Sequence, residues 1–310
     1  VDARAFTGAE AGIGTDGAYG HATVTDVHPD ALAAAIERGV VPVVVGFQGV
    51  APSGELTTLG RGGSDTTACA LGVALQAEAV EIYTDVDGVM SADPRTCDGA
   101  SVLETIGAEE LFQMARHGAR IVHTAAAELA LEAGLAVRVR NTFSDHPGTL
   151  VADLATYQPR SVATAVSHAT DITRIRVPLS APEGTREHMA AQARIYRALA
   201  DAGVSLDMFT PVGDTLVFTL SDGEVASARS VLSGLGYVSE TRDTLAKVTL
   251  IGAGMHGVPG VVARIAECLL DAGVTVLQTA DSHTTISVLV PASDVGRAIG
   301  ALHQGFSLGG

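Results

Sequence analysis

Lysine is almost absent from this chain of 310 residues, since Lys247 is the only one. The net charge is −16 at pH 7, which argues against nucleic acid as a main partner, because binding a phosphate backbone needs clustered cations. Any site for an anion must therefore use arginine side chains, backbone N–H groups or the N-termini of helices.

Cysteine is also scarce: Cys69, Cys97 and Cys268 are the full set. Their odd number and wide spacing, with no CxxC pair, indicate neither a disulfide framework nor a zinc site, so we expect reduced, buried thiols and a cytoplasmic location. Long apolar runs are missing as well. The best one, residues 40–50, is short and broken by proline and glycine, so we expect no membrane span and a soluble α/β protein.

The residues before about 150 alternate between apolar runs and helical patterns. Residues 40–47 form a continuous apolar run, which predicts a strand buried on both faces. Strands are also predicted at 22–27, 79–84 and 136–141, with helices between them. This alternation indicates a mainly parallel sheet with helices on its faces.

The residues after about 150 contain an internal repeat. Asp201-Ala202-Gly203-Val204 recurs as Asp271-Ala272-Gly273-Val274, 70 residues later. Both copies predict the order β-α-β-β-α, with a further strand at 237–241. We therefore expect two ferredoxin-like βαββαβ units lying side by side.

A glycine-rich segment is the strongest local signal: Gly60-Arg61-Gly62-Gly63-Ser64-Asp65. Glycines let the backbone approach a ligand closely, and a helix that begins at Ser64 or Asp65 would present N–H groups to an anion. Arg61 adds a cation suited to a carboxylate or phosphate. An ordinary capped turn explains the pattern about as well, and a P-loop is excluded because no Gly-Lys-Ser/Thr occurs.

Two further stretches could carry chemistry. Thr84-Asp85-Val86-Asp87-Gly88 follows a predicted buried strand, where Asp85 and Asp87 could hold a metal or a nucleotide, or simply form an Asp-Gly turn. In the repeated half, the loop 252–260 and the hydroxyl-rich hairpin 278–287 could grip a small carboxylate, or be a flexible connector and a polar turn.

Together these stretches resemble the aspartate kinases of the amino-acid kinase fold. The resemblance rests on GFQG at 46–49, TTLGRGGSDTTA at 57–68, EIYTDVDGVMSADPR at 81–95, EELFQMARHGARIVH at 109–123 and VRVRNTFSDHPGTL at 137–150. In the second half, GAGMHGVPGV and VLQTADSHTTISVL resemble paired ACT domains of that family. The implied domains are a partial kinase sheet at 1–152 and ACT units at about 165–242 and 243–310, with interleaving left open.

The resemblance implies ATP-dependent phosphorylation of the β-carboxylate of L-aspartate, with Mg²⁺ as the metal cofactor. Phosphoryl transfer depends on positioning and charge neutralisation more than on covalent catalysis. The matching residues divide between a substrate side and a nucleotide side. The substrate side comprises Phe47, Arg61, Ser64 and Asp65, and the nucleotide side comprises Thr84, Asp85, Arg95 and Arg120.

The resemblance also implies feedback control by an end-product amino acid, namely lysine, threonine or diaminopimelate, and a homodimer formed through the ACT units. The expected effector residues lie on the loop and hairpin of the second unit. They are Met255, His256, Gly257, Val258, Pro259, Gln278, Thr279, Ser282, Thr284 and Thr285.

This chain departs from the family in several ways. The family's N-terminal Lys-Gly-Gly segment and a glutamate-bearing segment that helps to hold aspartate are absent, Met90 replaces the usual aromatic residue, and Arg120 stands in place of a lysine. We therefore expect little or no kinase activity from these 310 residues alone. The alternative is a non-catalytic, amino-acid-binding regulatory subunit. A glutamate or acetylglutamate kinase is disfavoured, because neither would be expected to carry the tandem ACT half.

Overall fold

The computed structural model describes residues 1–119, 124–152, 157, 161–255 and 257–308. The α-helices in these ranges are α1 Asp30–Glu37, α2 Gly63–Ala74, α3 Ala108–Arg116, α4 Thr124–Ala133, α5 Arg186–Asp201, α6 Val225–Gly234, α7 Val261–Asp271 and α8 Val295–Gly305.

Sixteen strands occur in the same described ranges. In the first half they are β1 Ala3–Phe6, β2 Ile13–Thr15, β3 Val24–Val27, β4 Val41–Val44, β5 Gln48–Val50, β6 Leu56–Thr58, β7 Val80–Thr84, β8 Thr105–Gly107, β9 Val137–Asn141 and β10 Thr149–Ala152. In the second half they are β11 Ala165–Pro178, β12 Asp207–Val212, β13 Thr215–Ser221, β14 Glu240–Ile251, β15 Gln278–Asp281 and β16 Thr285–Pro291.

Within the described residues, the first half holds three small sheets. One has the order β7-β9-β10-β8, in which β7 and β9 run parallel, as do β10 and β8. Helices α2, α3 and α4 supply apolar side chains to its core, including Cys69, Leu111 and Met114. The other two sheets have the orders β3-β2-β5-β6 and β1-β4. The predicted α/β class with mainly parallel strand pairing is confirmed, since β7–β9, β10–β8, β1–β4 and β2–β5 pair in parallel.

Strand β4 forms where the apolar run predicted it, but the predicted burial on both faces is wrong. It is hydrogen-bonded to β1 alone among the described strands. The side chains of Val41, Val43 and Val45 are 48%, 55% and 45% exposed. An apolar run indicates that a strand can be buried, but the burial of that strand depends on which elements pack on each of its faces.

The second half is one six-stranded sheet with the order β12-β13-β11-β14-β16-β15. Two strands serve two units each. The later part of β11 pairs with β13 and with residues 240–242 of β14, which completes the first βαββαβ unit. Residues 245–251 of β14 pair with β16, and residues 247–251 also pair with residues 165–169 of β11, which completes the second. The repeat predicted from the 70-residue offset is confirmed as two ferredoxin-like units.

Each shared strand changes register at a residue with positive φ. Asp171 of β11 has φ 59° and Thr244 of β14 has φ 55°, and the pairing of the two strands is irregular between them. Such bulges kink and twist a strand, so each strand can face two cores in turn. The bounds expected for the two ACT units remain predictions, since residue 242 lies inside the continuous strand β14.

The two halves are in extensive contact. Ala165 and Ile251, at the ends of β11 and β14, belong to the core of the first half, while Ala92 and Cys97 pack in the core of the second ACT unit. The Oγ of Ser91 lies 2.8 Å from Nε2 of His303 on α8. None of the helices in the described ranges combines the length and apolar character that crossing a bilayer requires.

Candidate functional site

The glycine-rich segment forms a tight turn that leads into α2. Gly60 and Gly62 have φ of 74° and 70°, in the left-handed region that glycine adopts without strain. Helix α2 begins at Gly63, and within the described residues no side chain accepts a hydrogen bond at its N-cap. The Gly63 N–H donates to the carbonyl oxygen of Gly60 at 3.1 Å, which closes the turn, while Arg61 and Ser64 are exposed beside the start of α2. An anion at this position would meet the positive end of the helix dipole.

Phe47 lies directly against this turn. Its φ is 73°, which is unusual for a bulky residue, and its N–H donates to Oγ1 of Thr67 at 3.1 Å. A Cβ placed on Gly63 would come within 2.7 Å of the Phe47 ring, so only glycine fits there. A strained backbone held by several contacts is typical of ligand-binding positions.

The carboxyl ends of β7 and β9 form the second part of the site. The two parallel strands pair from Val80–Val137 to Thr84–Asn141, so their ends meet at one edge. Asp87 accepts hydrogen bonds from Nδ2 of Asn141 at 2.8 Å and from the Ser144 hydroxyl at 2.7 Å. These bonds lower the pKa of the Asp87 carboxyl, so it is ionised at neutral pH.

The glycine-rich turn is related to this strand edge through α2, which packs on β7. A Cβ on Gly72 would come within 2.5 Å of Cγ2 of Val80, so the last turn of α2 packs on the start of β7. Because the end of α2 lies against the start of β7, an antiparallel packing of helix and strand would bring the beginning of α2 towards the end of β7. Ligands of open α/β sheets bind at this carboxyl edge.

The remaining residues expected on the nucleotide side are less closely tied to the edge. The Thr84 hydroxyl donates a hydrogen bond to the Asp85 carboxylate at 3.1 Å, and Asp85 is exposed. The Arg95 side chain is 84% exposed and bonds to Asp93 through Nε and Nη2 at 3.0 and 2.7 Å. Arg120 lies outside the described residues. These roles remain predictions.

The loop and hairpin expected to bind an effector do meet in the second ACT unit. The N–H of Gly252 donates to the carbonyl oxygen of Thr284 at 3.0 Å. The hydroxyls of Ser282 and Thr285 lie 2.7 Å apart. Met255 is buried, and the positive φ of Gly257 allows the chain to turn away from it. His256 lies outside the described residues.

Gln278 and Thr279 lie at the far end of β15 from this meeting point. The Gln278 side-chain amide donates to the backbone oxygen of Met208, on β12 of the first ACT unit. Gln278 therefore joins the two edge strands of the six-stranded sheet. Its side-chain oxygen is buried without a partner among the described groups.

A cavity of about 330 Å³ opens beside the effector loop. Val258 and Pro259 line it, together with Val162, Arg264 and Phe306. The guanidinium of Arg264 lies 5.3 Å from the centre of the Phe306 ring. Sequence reasoning missed Arg264, although its position in the first turn after the Pro259-Gly260 pair is a signal that could have identified it.

Sequence reasoning also missed Glu110. Its carboxylate is fully buried, and it bonds to groups from both halves of the chain. The spacing Gly107-x-x-Glu110 matches the pattern of a helix N-terminus in which a glutamate reaches back to the N-cap N–H. That pattern indicates a cap, but it cannot indicate the contact with the ACT half.

Comparison with known proteins defines the class. Residues 1–141 match the model of the amino acid kinase family, and residues 240–304 match an ACT domain. The fold and these two matches indicate an amino-acid kinase with ACT regulation.

The similar proteins specify the class further. Aspartokinase 1 of Bacillus subtilis is 38% identical over 313 residues, which are 99% of this chain and 76% of that protein. An aspartokinase of Mycobacterium tuberculosis is 39% identical over 99% of this chain and 76% of its own length. The crystal structure of E. coli aspartokinase III with aspartate and ADP superposes with a TM-score of 0.79 at 27% identity, covering 99% of this chain and 70% of that one. The chain belongs to the aspartokinase family, whose members are aspartate kinases and therefore phosphotransferases.

Proposed function

We propose that this protein binds L-aspartate and MgATP at the edge formed by the start of α2 and the ends of β7 and β9, and that it acts in the transfer of the γ-phosphoryl group to the aspartate β-carboxylate. The observation that carries the proposal is the glycine-rich turn at the start of α2, which holds Phe47 against Gly63 and leaves Arg61 exposed. Aspartate and ADP occupy the E. coli relative together, which supports both ligands.

The chemistry of each group fits this assignment. Arg61 would hold the α-carboxylate of aspartate through its planar fork, and the N–H groups of α2 would offset negative charge. Phe47 and Ser64 would shape the pocket around the substrate, with Asp65 beside them. Thr84, Asp85 and Arg95 would contact the nucleotide, as would Arg120.

Magnesium would reach the site mainly on the nucleotide. No group of three or more His, Cys, Asp or Glu side chains in the described ranges is placed to hold a metal ion. Mg²⁺ in kinases is usually bound by one or two carboxylates and substrate phosphates, and it keeps several waters. Asp85 is exposed and fits such a limited role. When bound with ATP, Mg²⁺ would neutralise phosphate charge.

We propose that a polypeptide of these 310 residues has little or no turnover by itself. Lys247, its one lysine, lies in β14 of the ACT sheet, where its side chain is 10% exposed and paired with Asp207. That ammonium group cannot serve the phosphate side of a site built on α2 and β7. The remaining cations in the first half are arginines.

The binding half of the proposal is tested by the aspartate-dependent thermal shift of the full chain. The Arg61→Ala variant is expected to lose the shift, because it loses the carboxylate partner. The exposed Arg38→Ala variant, which also removes one cation, is expected to keep it. No shift with the unsubstituted chain, or an equal shift with Arg61→Ala, would contradict the assignment.

Turnover is tested separately with a coupled assay for ADP release in the presence of aspartate and MgATP. We expect no release above background from the 310-residue polypeptide. Release at a rate typical of kinases, on the order of 1–100 per second, would contradict the proposal of inactivity. It would support the binding site at the same time.

We propose that the second ACT unit binds an amino-acid end product of the pathway that begins with aspartate phosphorylation, namely lysine, threonine or diaminopimelate. The E. coli relative has been crystallised with lysine and aspartate. Val258 and Pro259 line the cavity beside the loop, where Arg264 would pair with the carboxylate of an amino acid. The hairpin that meets this loop carries the hydroxyls of Ser282 and Thr285. Calorimetry with each amino acid tests this proposal, and absence of heat from all three would contradict it.

We also propose a homodimer formed through the ACT units, acting in a reducing compartment such as the cytoplasm. Phe209 and Val212 are each 59% exposed on the edge strand β12, and Leu270 is 77% exposed on α7. Such side chains are suited to an interface. All three cysteines are free thiols. Light scattering after gel filtration is expected to give about twice the 31.5 kDa chain mass.

A further inference from the structure

Glu110 is a fully buried carboxylate that the proposed phosphoryl transfer does not use. It lies in the first turn of α3, and its Oε2 accepts the N–H of Gly107 at 3.1 Å. A bond of this kind would be sufficient to cap the helix. A charged group buried for a cap alone would be costly, because caps are usually formed by exposed side chains.

The other carboxylate oxygen of Glu110 bonds to two distant segments. Oε1 accepts the hydroxyl of Thr164 at 2.7 Å and the N–H of Ala253 at 2.8 Å. Tyr157 donates a further hydrogen bond, and its burial and this bond raise its pKa, so its hydroxyl stays neutral. The carboxylate therefore has partners from the end of β8, from the residues that precede β11, and from the residues that follow β14.

Ala253 is at the base of the loop proposed to bind the effector. It follows Gly252, which bonds to the hairpin at Thr284, and it precedes the buried Met255 by two positions. Glu109, next to Glu110, accepts a longer hydrogen bond from the Thr284 hydroxyl at 3.4 Å. An effector that draws loop and hairpin together therefore acts on the donor of the Ala253–Glu110 bond.

Helix α3 is in turn packed into the kinase half. Leu111 and Met114 lie in one core cluster with Ile82 of β7 and Val139 of β9. The carboxyl ends of β7 and β9 form the edge proposed to hold the nucleotide. A shift or loosening of α3 is therefore passed to the strands that carry Thr84 and Asp85, because close-packed cores transmit small displacements.

We propose that Glu110 is the positioning residue that couples the effector loop to the kinase half. A bound effector changes the bond from the Ala253 N–H to Oε1, and the carboxylate passes this change to the start of α3. Leaving a buried carboxylate short of a donor is costly, so α3 must respond when the loop moves. This inference rests on the proposed binding of an amino-acid effector by the second ACT unit.

The test is hydrogen–deuterium exchange of the full chain with and without the amino acid that gives heat in calorimetry. In the unsubstituted chain, the effector is expected to change amide exchange at residues 253–255 and also at residues 107–116. The Glu110→Gln variant keeps the side-chain size but replaces one acceptor oxygen with an NH₂ donor. We expect it to bind the effector within about threefold of the original affinity, because Glu110 is not one of the residues proposed to contact the effector; a change of that size lies below the range of typical allosteric couplings, about fivefold or more. In this variant, the effector should still change amide exchange at residues 253–255, but it should no longer change amide exchange at residues 107–116.

The matched control is Glu109→Gln, which removes the neighbouring charge and is expected to behave as the unsubstituted chain does. If Glu110→Gln fails to fold, Thr164→Val removes one donor and leaves the carboxylate in place. It should reduce the response of α3 without abolishing effector binding. A purely structural role would lower stability in these variants but would not separate the two exchange responses.

The outcomes distinguish this inference from the function on which it rests. No heat from any of the amino acids with the unsubstituted chain overturns both. Binding with an unchanged response of residues 107–116 in Glu110→Gln overturns the coupling alone, and assigns transmission to the packing of Ile251 in the kinase core. If Glu109→Gln also loses the effector-dependent change in exchange at residues 107–116, the proposed role of Glu110 is overturned, and the contact of Glu109 with the Thr284 hydroxyl carries the coupling instead.

Discussion

Acidification is expected to destabilise this protein through His117. The ring lies just after α3, with Nδ1 3.5 Å from Oγ1 of Thr249 on the central ACT strand β14. Burial lowers the pKa of His117 from 6.5 to about 4, and the nearby charge of Lys247 and then of Arg116 lowers it too, while Asp207 acts in the opposite direction. His117 is therefore neutral in the folded protein at pH 5, whereas it is charged in the unfolded chain.

The size of the effect follows from linkage. The unfolded chain takes up a proton as the pH falls through 6.5, and the folded chain does so only near pH 4, so stability present above pH 6.5 is lost as the pH falls towards 4. At pH 5 the solution is about 1.5 pH units below the pKa of histidine in the unfolded chain, and each such unit lowers the free energy of unfolding by about 1.4 kcal/mol. The loss due to His117 is thus about 2 kcal/mol, as an upper figure because the ring is partly exposed.

The assay is urea unfolding at pH 7 and pH 5, followed by circular dichroism because the chain has no tryptophan. His117→Gln is expected to lose about 2 kcal/mol less stability between the two pH values than the unsubstituted chain does. His28→Gln is the control, since the His28 side chain is 77% exposed. Equal losses in the His117→Gln variant and the unsubstituted chain would refute burial of a neutral His117 at the junction of the two halves.

Two further predictions concern contacts between the halves. Gly118 has φ of 110°, and a Cβ there would lie 2.0 Å from the backbone oxygen of His168, whereas Gly184 has φ of 79° with no described atom within 4 Å of its Cβ position. In urea unfolding, Gly184→Ala should cost about 1 kcal/mol and Gly118→Ala about 3 kcal/mol or more, and equal costs would contradict the close approach. Ser91→Ala removes the buried hydroxyl bonded to His303 and should cost about 1–3 kcal/mol by the same measurement; a change below about 0.5 kcal/mol would show that this bond does not hold the halves together.

The sequence predicted helices and repeats well where periodicity is strong. Helix α3, at 108–116, lies between the strands predicted at 79–84 and 136–141, where helices were expected. The 70-residue offset recurs between β13 and β16, which begin at Thr215 and Thr285, and between α6 and α8, which begin at Val225 and Val295. Binary patterns of this kind depend only on neighbours along the chain, so a single sequence contains them.

Burial and register were less predictable because they depend on distant residues. The valines of β4 have the composition of a buried strand, yet packing leaves Val41 and Val43 about half exposed. The changes of register in β11 and β14 occur at Asp171 and Thr244, where no glycine marks the positive φ. Sequence alone therefore could not show that each of these strands serves two ACT units.

The candidate site was predictable where it depends on local sequence, and unpredictable where it depends on tertiary contacts. The meeting of Thr84 and Asn141 follows from parallel strands ending at one edge, and the turn before α2 follows from its glycines. The position of Phe47 against Gly63 is a tertiary contact, as is the contact of Glu110 with Ala253. Neither has a local sequence pattern that specifies its partner.

The exchange of core residues between the halves has a consequence for recombining regulatory modules among relatives. Ala92 and Cys97 precede residue 152 in the chain but fill the core of the second ACT unit, whereas Ala165 and Ile251 follow it and fill the kinase core. A hybrid enzyme joined between residues 152 and 161 would therefore bring mismatched side chains into both interiors. Grafting a new regulatory response onto this protein requires crossover points that also transfer residues 91–101 with the ACT half, while Val89 and Leu103 stay with the kinase core.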